Sequence, residues 1–103
     1  MNDSINVRRA RTGDVRAMKA LIDAYAGKVL LAKPLVTLFE DIQEFWVAEE
    51  DGVVLGCGAL HVLWEDLAEI RTVAVSPHAL GRGIGHRIVH RLIETARELQ
   101  LRR

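Results

Sequence analysis

The spacing of apolar side chains along the first part of the chain predicts one strand followed by two helices. Residues 5–11 include β-branched side chains and predict a short extended segment. Thr12 is a candidate N-cap, since its hydroxyl can accept a hydrogen bond from an unpaired N–H of the next turn. Apolar residues at helical spacing then predict a helix that stops at Gly27. These apolar residues are Val15, Met18, Leu21, Ile22 and Tyr25. A weaker helical pattern follows Pro34.

Apolar runs bounded by turn residues predict three strands in the middle of the chain. The predicted strands cover residues 45–49, 53–64 and 68–75. Asp51 and Gly52, between the first two, are typical of a two-residue hairpin turn. Gly56 and Gly58 weaken the second strand and indicate a bulge or a close approach by another segment.

The last predicted element is a helix over residues 82–99. Its apolar stripe is formed by Ile84, Ile88, Leu92 and Ala96. Arg87 and Arg91 are expected on its solvent side. The predicted order is therefore β-α-α-β-β-β-α. A helix that follows a strand usually returns the chain to the sheet, and only four residues follow this one. We therefore expect a domain truncated before its C-terminal strands.

Composition and charge argue against a nucleic-acid-binding, membrane or secreted protein. The chain is long enough for one domain, residues 1–103. Its 14 basic and 14 acidic side chains cancel, which predicts no bulk attraction to nucleic acid or to an anionic membrane. No signal peptide or membrane-spanning stretch is evident, and Cys57 is the only cysteine, so we expect a cytoplasmic protein. No group of residues has metal-ligand spacing.

Glycines at alternate positions, where the last strand leads into the last helix, predict a phosphate site. Gly81, Gly83 and Gly85 let backbone N–H groups approach an anion, and the helix start adds partial positive charge. Arg82 and Arg87 are nearby cations. Histidine replaces the third glycine of a dinucleotide-binding fingerprint, and the lysine of a P-loop is absent. A glycine-rich helix start without a ligand is the alternative.

The residues around these glycines resemble the acetyl-CoA signature of the GNAT family of N-acetyltransferases. Residues 69–77 and 80–85 carry the resemblance, although Leu80 stands where arginine or glutamine is usual. It implies an α/β (α+β) fold with a mixed, mostly antiparallel sheet and helices on both faces. It also implies acetyl-CoA as cosubstrate, with its pantetheine arm along Val73, Ala74 and Val75. The residues implied around the pyrophosphate are Leu80, Gly81, Arg82, Gly83, Ile84, Gly85 and His86.

Acetyl transfer to an amine needs a base for the amine proton, and Glu69 is the candidate. Residues 68–70 resemble the strand that carries the catalytic glutamate in the histone-acetylating branch of the family. Alternatively, Glu69 only forms an ion pair with Arg71, two residues along the same strand face. Arg71 could instead bind the carboxylate of an amino-acid acceptor, as could Lys33 or Lys28.

Three other side chains with reactive groups can be explained by structural roles instead of catalytic ones. His61 could act as a base, but a lone histidine in an apolar strand is more often a hydrogen-bonded core residue. We expect Cys57 to be buried and inert. Tyr25, the only tyrosine, lies on the apolar stripe of the first helix, so the sequence identifies no acid for the departing thiolate.

The chain from Val7 to Leu101 resembles the short amino-acid N-acetyltransferases that make N-acetylglutamate, the first step of arginine biosynthesis. This implies acetylation of the α-amine of an amino acid, glutamate or glutamine. A GNAT enzyme that acts on another amine is an alternative, and so is a coenzyme A-binding module without turnover. We also expect a homodimer in which two chains cover the open edge of the last strand.

Overall fold

The helices and strands follow the predicted order. The computed structural model describes residues 4–25 and 33–102, and within them the order β-α-α-β-β-β-α is confirmed. The strands are β1 Asn6–Arg9, β2 Phe45–Glu50, β3 Val53–Trp64 and β4 Leu67–Val75, and the helices are α1 Val15–Asp23, α2 Leu35–Glu40 and α3 Ile84–Glu98. The predicted helix stop at Gly27 lies outside the described residues. Within the same ranges, no helix is both long and apolar enough to cross a membrane.

The four strands form one antiparallel sheet in the order β1-β2-β3-β4, which confirms the mostly antiparallel prediction. β2 and β3 are joined at Asp51 and Gly52, with φ angles of 52° and 81°. Two consecutive residues with positive φ fit the right-handed twist of a hairpin, so the predicted turn is confirmed. β4 lies at one edge of this described sheet.

Helices cover both faces of the sheet, as predicted. The face covered by α1 and α2 is called the α1 face, and the opposite one the α3 face. Core residues on the α1 face include Val15, Met18, Ile22, Leu38, Val47 and Cys57. Core residues on the α3 face include Trp46, Ala48, Ile84, Ile88 and Leu92. Successive residues of β2 thus enter opposite cores, as strand alternation requires.

Two glycines of β3 let α3 lie close to the sheet. A Cβ at Gly58 would lie 2.7 Å from Cγ2 of Ile88, and a Cβ at Gly56 would lie 2.8 Å from Cγ2 of Ile84. Carbon atoms do not pack at such distances, so glycine is required where the helix meets β3. The register between β2 and β3 also shifts at this level. Both the bulge and the close approach predicted for these glycines are present.

The prediction of Thr12 as the N-cap of α1 is wrong, because the chain forms a 3₁₀ turn there, which Asp14 stabilises. Residues 12–14 form a 3₁₀ turn ahead of α1, and Asp14 is the residue before the helix. Its carboxylate accepts the Arg11 N–H at 2.7 Å and two hydrogen bonds from the Arg8 guanidinium at 2.8 and 2.9 Å. The hydrogen bonds from Arg8 hold the pKa of Asp14 below its usual range.

Two arginines lie against the buried ring of Trp46. The guanidinium carbon of Arg91 is 4.4 Å and that of Arg9 4.8 Å from the ring centroid. Arg87 donates to the Ile5 carbonyl at 3.0 Å. Arg87 and Arg91 are therefore half-buried rather than on the solvent side, because a long side chain can cover apolar surface while its head reaches a polar partner.

Gly58→Ala should destabilise the fold by roughly 1 to 3 kcal/mol, because the added methyl must displace Ile88 or β3. The matched control is Gly13→Ala, since a Cβ at Gly13 meets nothing within 4 Å. Its free energy of unfolding should stay within about 0.5 kcal/mol of the original. Urea denaturation measures both, and equal stability of the two variants would contradict the close approach of α3.

Candidate functional site

Among the described residues, the backbone N–H groups at the start of α3 have no acceptor within the helix. Gly81 and Gly83 have φ angles of 84° and 73°, which residues other than glycine adopt only with strain. Gly83 precedes α3, and no side chain from the described residues caps this helix end. The N–H of Arg87 bonds the Gly83 carbonyl at 3.1 Å, which leaves the N–H groups of residues 84–86 without helical acceptors. Such a helix end can bind an anion.

Arg82, in the same turn, is held by Glu50 at the end of β2. Its guanidinium donates two hydrogen bonds to the Glu50 carboxylate, at 2.9 and 2.8 Å, and the Ser4 hydroxyl also donates to Glu50. The hydrogen bonds from Arg82 and then from Ser4 lower the pKa of Glu50 to about 2. The Arg82 side chain is 43% exposed, so an anion could reach it from solvent.

Leu80 and Ile84 contribute shape rather than charge, whereas the His86 side chain, in the first turn of α3, is exposed. Leu80 is exposed, and Ile84 is buried in the α3-face core. Both side chains are apolar, so neither can donate a hydrogen bond to an anion. The Ser76 hydroxyl accepts from the His78 N–H at 3.3 Å and shapes the preceding 3₁₀ turn, Pro77–Ala79. Any anion bound here would be held mainly by backbone groups and by Arg82.

β4 contains one extra residue shortly before this turn. Ala59 pairs with Arg71 and Cys57 pairs with Ala74, so two steps along β3 correspond to three along β4. The bulge falls at Thr72, whose φ of 59° lies in the left-handed region. Because side chains alternate along a strand, the extra residue places both Arg71 and Ala74 on the α1 face.

Beyond the bulge, the backbone of β4 alternates between β3 and the open edge. The Ser76 N–H donates to the Leu55 carbonyl at 2.8 Å, which directs Ser76 toward β3. Alternation then directs the N–H and C=O groups of Val73 and Val75 toward the edge and those of Ala74 toward β3. An extended ligand could therefore hydrogen-bond to Val73 and Val75.

A cluster of four polar side chains, Glu44, His61, Glu69 and Arg71, lies on the α1 face beside the bulge. His61 Nδ1 is 2.9 Å from Glu44 Oε2. Arg71 Nη2 is 3.6 Å from Glu44 Oε1, and Arg71 Nη1 is 3.8 Å from Glu69 Oε1. The register also places His61 directly opposite Glu69. This charged cluster combines two carboxylates, an imidazole and a guanidinium, which are groups suited to proton transfer and carboxylate binding.

Comparison with known proteins identifies the family to which this arrangement belongs. Residues 15–103 match the model of the acetyltransferase (GNAT) family. This chain belongs to the GNAT family. The amino-acid acetyltransferase of Mycobacterium tuberculosis (strain ATCC 25618 / H37Rv) is 67% identical over 100 residues, which cover 94% of this chain and 58% of that protein. The amino-acid acetyltransferase of Neisseria meningitidis serogroup A is 36% identical over 101 residues, 96% of this chain and 23% of that protein.

Solved structures of two GNAT relatives superpose closely on this chain. A Mycobacterium tuberculosis protein in complex with CoA has a TM-score of 0.91 at 67% identity, covering 93% of this chain and 60% of that one. The N-acetylglutamate synthase of Neisseria gonorrhoeae, complexed with coenzyme A and N-acetyl-glutamate, has a TM-score of 0.92 at 33% identity. That match covers 98% of this chain and 24% of the synthase. The chain therefore spans less than two thirds of the length of either relative.

Some of the acceptor-side residues predicted for this GNAT chain lie together, and others do not. Glu69 and Arg71 form the ion pair that was the alternative to a catalytic role for Glu69, and the Glu69 side chain is 54% exposed. Lys33 is half-buried, and its carbonyl accepts a hydrogen bond from Lys19 at 3.3 Å. Within the described ranges, no hydrogen bond or ion pair joins Lys33 to the charged cluster. Lys28 lies outside those ranges.

Sequence reasoning missed Glu44, which makes contacts with two members of the charged cluster. It ends the 3₁₀ turn Ile42–Glu44 just before β2, and no spacing rule connects it to His61 or Arg71. An acidic residue immediately before an apolar strand was the available signal, and it is too common to be selective. One Glu44 oxygen, Oε1, is shielded from solvent and has no hydrogen-bond partner in the described chain. His61 is hydrogen-bonded, as the structural role predicted for it requires, but it is half-buried and not a core residue.

Cys57 does not take part in this site. It is fully buried in the α1-face core, and burial raises the pKa of its thiol to about 12. The expectation of a buried cysteine is confirmed, and the raised pKa disfavours the reactive thiolate. Among residues 4–25 and 33–102, no group of three or more histidine, cysteine or acidic side chains is placed to hold a metal ion.

Replacing Arg82 by Gln should raise the pKa of Glu50 from about 2 toward its ordinary value of 4.5. The folded-state pKa is depressed, so the ion pair stabilises the fold above the unfolded-state pKa. That contribution is lost as the pH falls from about 4.5 through about 2. A carboxyl-detected NMR titration measures the Glu50 midpoint, and Arg97→Gln at the far end of α3 is the control. An unchanged midpoint in Arg82→Gln would contradict the pairing.

Proposed function

We propose that this chain binds acetyl-CoA and serves as the cofactor-binding part of a GNAT enzyme that acetylates the α-amine of an amino acid, glutamate or glutamine. One observation carries the proposal: the open edge of β4 leads directly into an uncapped, glycine-lined helix start. An extended arm followed by a pyrophosphate fits this juxtaposition, and coenzyme A contains both. The names of the relatives, amino-acid acetyltransferase and N-acetylglutamate synthase, support the choice of acceptor.

On the cofactor side, the amides of the pantetheine arm pair with the backbone of Val73 and Val75 at the strand edge. Ala74 lies between them, and its buried side chain packs into the α1-face core, which holds this part of β4 in place. The pyrophosphate accepts hydrogen bonds from the N–H groups of residues 84–86, where the partial charge of the helix dipole is positive. Arg82 exchanges Glu50 for a phosphate oxygen, since both are anionic oxygen acceptors within reach of an exposed guanidinium.

On the acceptor side, the charged cluster provides the groups that an amino acid requires. The Arg71 guanidinium binds the carboxylate of the acceptor, and Glu69 removes a proton from its ammonium group. Glu44 lies between Arg71 and His61, so it holds both side chains beside the bulge. Lys33 stays a predicted second contact for the acceptor.

The reaction assigned to these residues is a direct transfer. The neutral amine nitrogen attacks the thioester carbonyl carbon, so that a C–N bond forms and the C–S bond then breaks. The proton that Glu69 has taken from the ammonium group passes to solvent. The second proton, which the nitrogen loses once the C–N bond has formed, ends on the departing thiolate of coenzyme A. Backbone N–H groups at the edge of β4 are suited to stabilise the negative charge that develops on the carbonyl oxygen.

Gly83→Ala should weaken CoA binding by roughly tenfold, because a side chain at a φ of 73° strains the turn that directs the N–H groups of residues 84–86 toward the pyrophosphate. The variant should still fold, since its Cβ meets nothing within 4 Å. Isothermal calorimetry with CoA measures the change, and Gly52→Ala, which places the same kind of strain in the turn between β2 and β3, is the matched control. Unchanged affinity in Gly83→Ala would place the pyrophosphate elsewhere, and no binding to the original chain would overturn the cofactor assignment.

Two variants of the charged cluster should separate acceptor binding from proton transfer. Arg71→Gln should raise the KM for the amino acid by about tenfold or more, because it loses a charge-assisted bond to the carboxylate. Glu69→Gln should lower kcat on the order of a hundredfold, since the base is lost while the shape is kept. Neither should change the Kd for CoA.

The assay for these variants is release of CoA from acetyl-CoA with glutamate, glutamine and a polyamine as acceptors. Turnover of the polyamine alone would replace the amino-acid assignment by another amine. Binding of CoA without turnover of any acceptor would support a cofactor-binding module instead.

A further inference from the structure

Tyr25 connects the N-terminal helices to the strand that the cofactor would use. It lies two residues beyond the end of α1, and its hydroxyl donates to the carbonyl of Val75 at 2.5 Å, across 50 positions of sequence. Its ring packs against the α1-face core. The sequence places Tyr25 on an apolar stripe, which accounts for the ring but not for the hydroxyl.

The accepting carbonyl is one that points to the open edge of the sheet. Ser76 faces β3, as its bond to Leu55 shows, so Val75 faces the edge. No strand lies beyond β4 in the described sheet, and Tyr25 supplies the partner that a neighbouring strand would otherwise give this carbonyl. Along the edge after the bulge, the Val75 carbonyl is thus already hydrogen-bonded, whereas the N–H of Val75 and both groups of Val73 face outward.

We propose that Tyr25 is a positioning residue for the cofactor strand: by occupying the Val75 carbonyl, it fixes which backbone groups of the edge an extended ligand can use. This inference rests on the proposed acetyl-CoA function. A phenol that donates one hydrogen bond can still accept another, so an amide N–H of the pantetheine arm meets the Tyr25 oxygen instead of the Val75 carbonyl. A β-strand from another chain needs that carbonyl for a regular ladder, so the same contact favours the arm over strand pairing.

Tyr25→Phe keeps the ring and removes only the hydroxyl. We expect the Kd for CoA to rise roughly three- to tenfold, because the variant loses one hydrogen bond and the backbone at the edge of β4 is held less firmly. The Kd for ADP, which carries the pyrophosphate but no pantetheine, should change by less than about twofold, because the helix start is untouched. Calorimetry of the 103-residue chain with each ligand measures both constants.

A fluorine label gives a second readout that a merely structural tyrosine would not move. Tyr25 is the only tyrosine, so 3-fluorotyrosine labelling yields a single resonance. We expect CoA to shift this resonance and ADP to leave it nearly unchanged.

Each outcome decides between the inference and the function on which it rests. If Tyr25→Phe binds CoA as tightly as the original chain, the positioning role is overturned while the cofactor assignment stands. Equal losses for CoA and ADP would also overturn it, because they would indicate a general disturbance of the site. Failure of the original chain to bind CoA would overturn both.

Discussion

The extra residue at Thr72 is the constraint on which the candidate site depends. Before the bulge, strand alternation places Glu69 and Arg71 on the α1 face, and after it Ala74 enters the same core. In an unbroken strand, the odd separation of Arg71 and Ala74 would put them on opposite faces. Either the charged pair or the end of β4 would then be misplaced. One inserted residue thus allows a single strand to offer charged side chains to one face and, further along, backbone groups to an open edge.

The position of the anion-binding helix end follows from a second constraint, the contact between α3 and β3. A helix that packs directly on the backbone of Gly56 and Gly58 has little freedom to slide or tilt, because Ile84, Ile88 and Leu92 fit against those two positions. The first of these anchors, Ile84, is also the first residue of α3. Core packing therefore fixes the N-terminus next to the end of β4, and the glycine turn only has to span the short gap between them.

The sequence was sufficient for features governed by local rules. Helical spacing predicted α1 and α3, the Asp51–Gly52 pair predicted the hairpin, and alternate glycines predicted the uncapped helix start. Features that depend on distant partners were not predictable. Thr72 is a β-branched residue in an apolar run, and nothing in its neighbours indicates a positive φ. Glu44 and Tyr25 acquire their roles only when the chain brings His61, Arg71 and Val75 to them. Thr12 failed as a cap because it lies inside the 3₁₀ turn that precedes α1, and Asp14, held by Arg8, is the residue before the helix.

The two missed residues have a common consequence for β4. In the described sheet, β4 is a bulged edge strand that pairs with β3 alone, through an interrupted ladder, so its conformation needs further support. Glu44 contacts Arg71 before the bulge, and Tyr25 contacts Val75 after it, both from the α1 side. These contacts fix the strand at the two points where acceptor and cofactor would be held. The distance between the two binding regions is therefore set by the packing of the N-terminal half on β4, and a change in that packing would move both regions through the same strand.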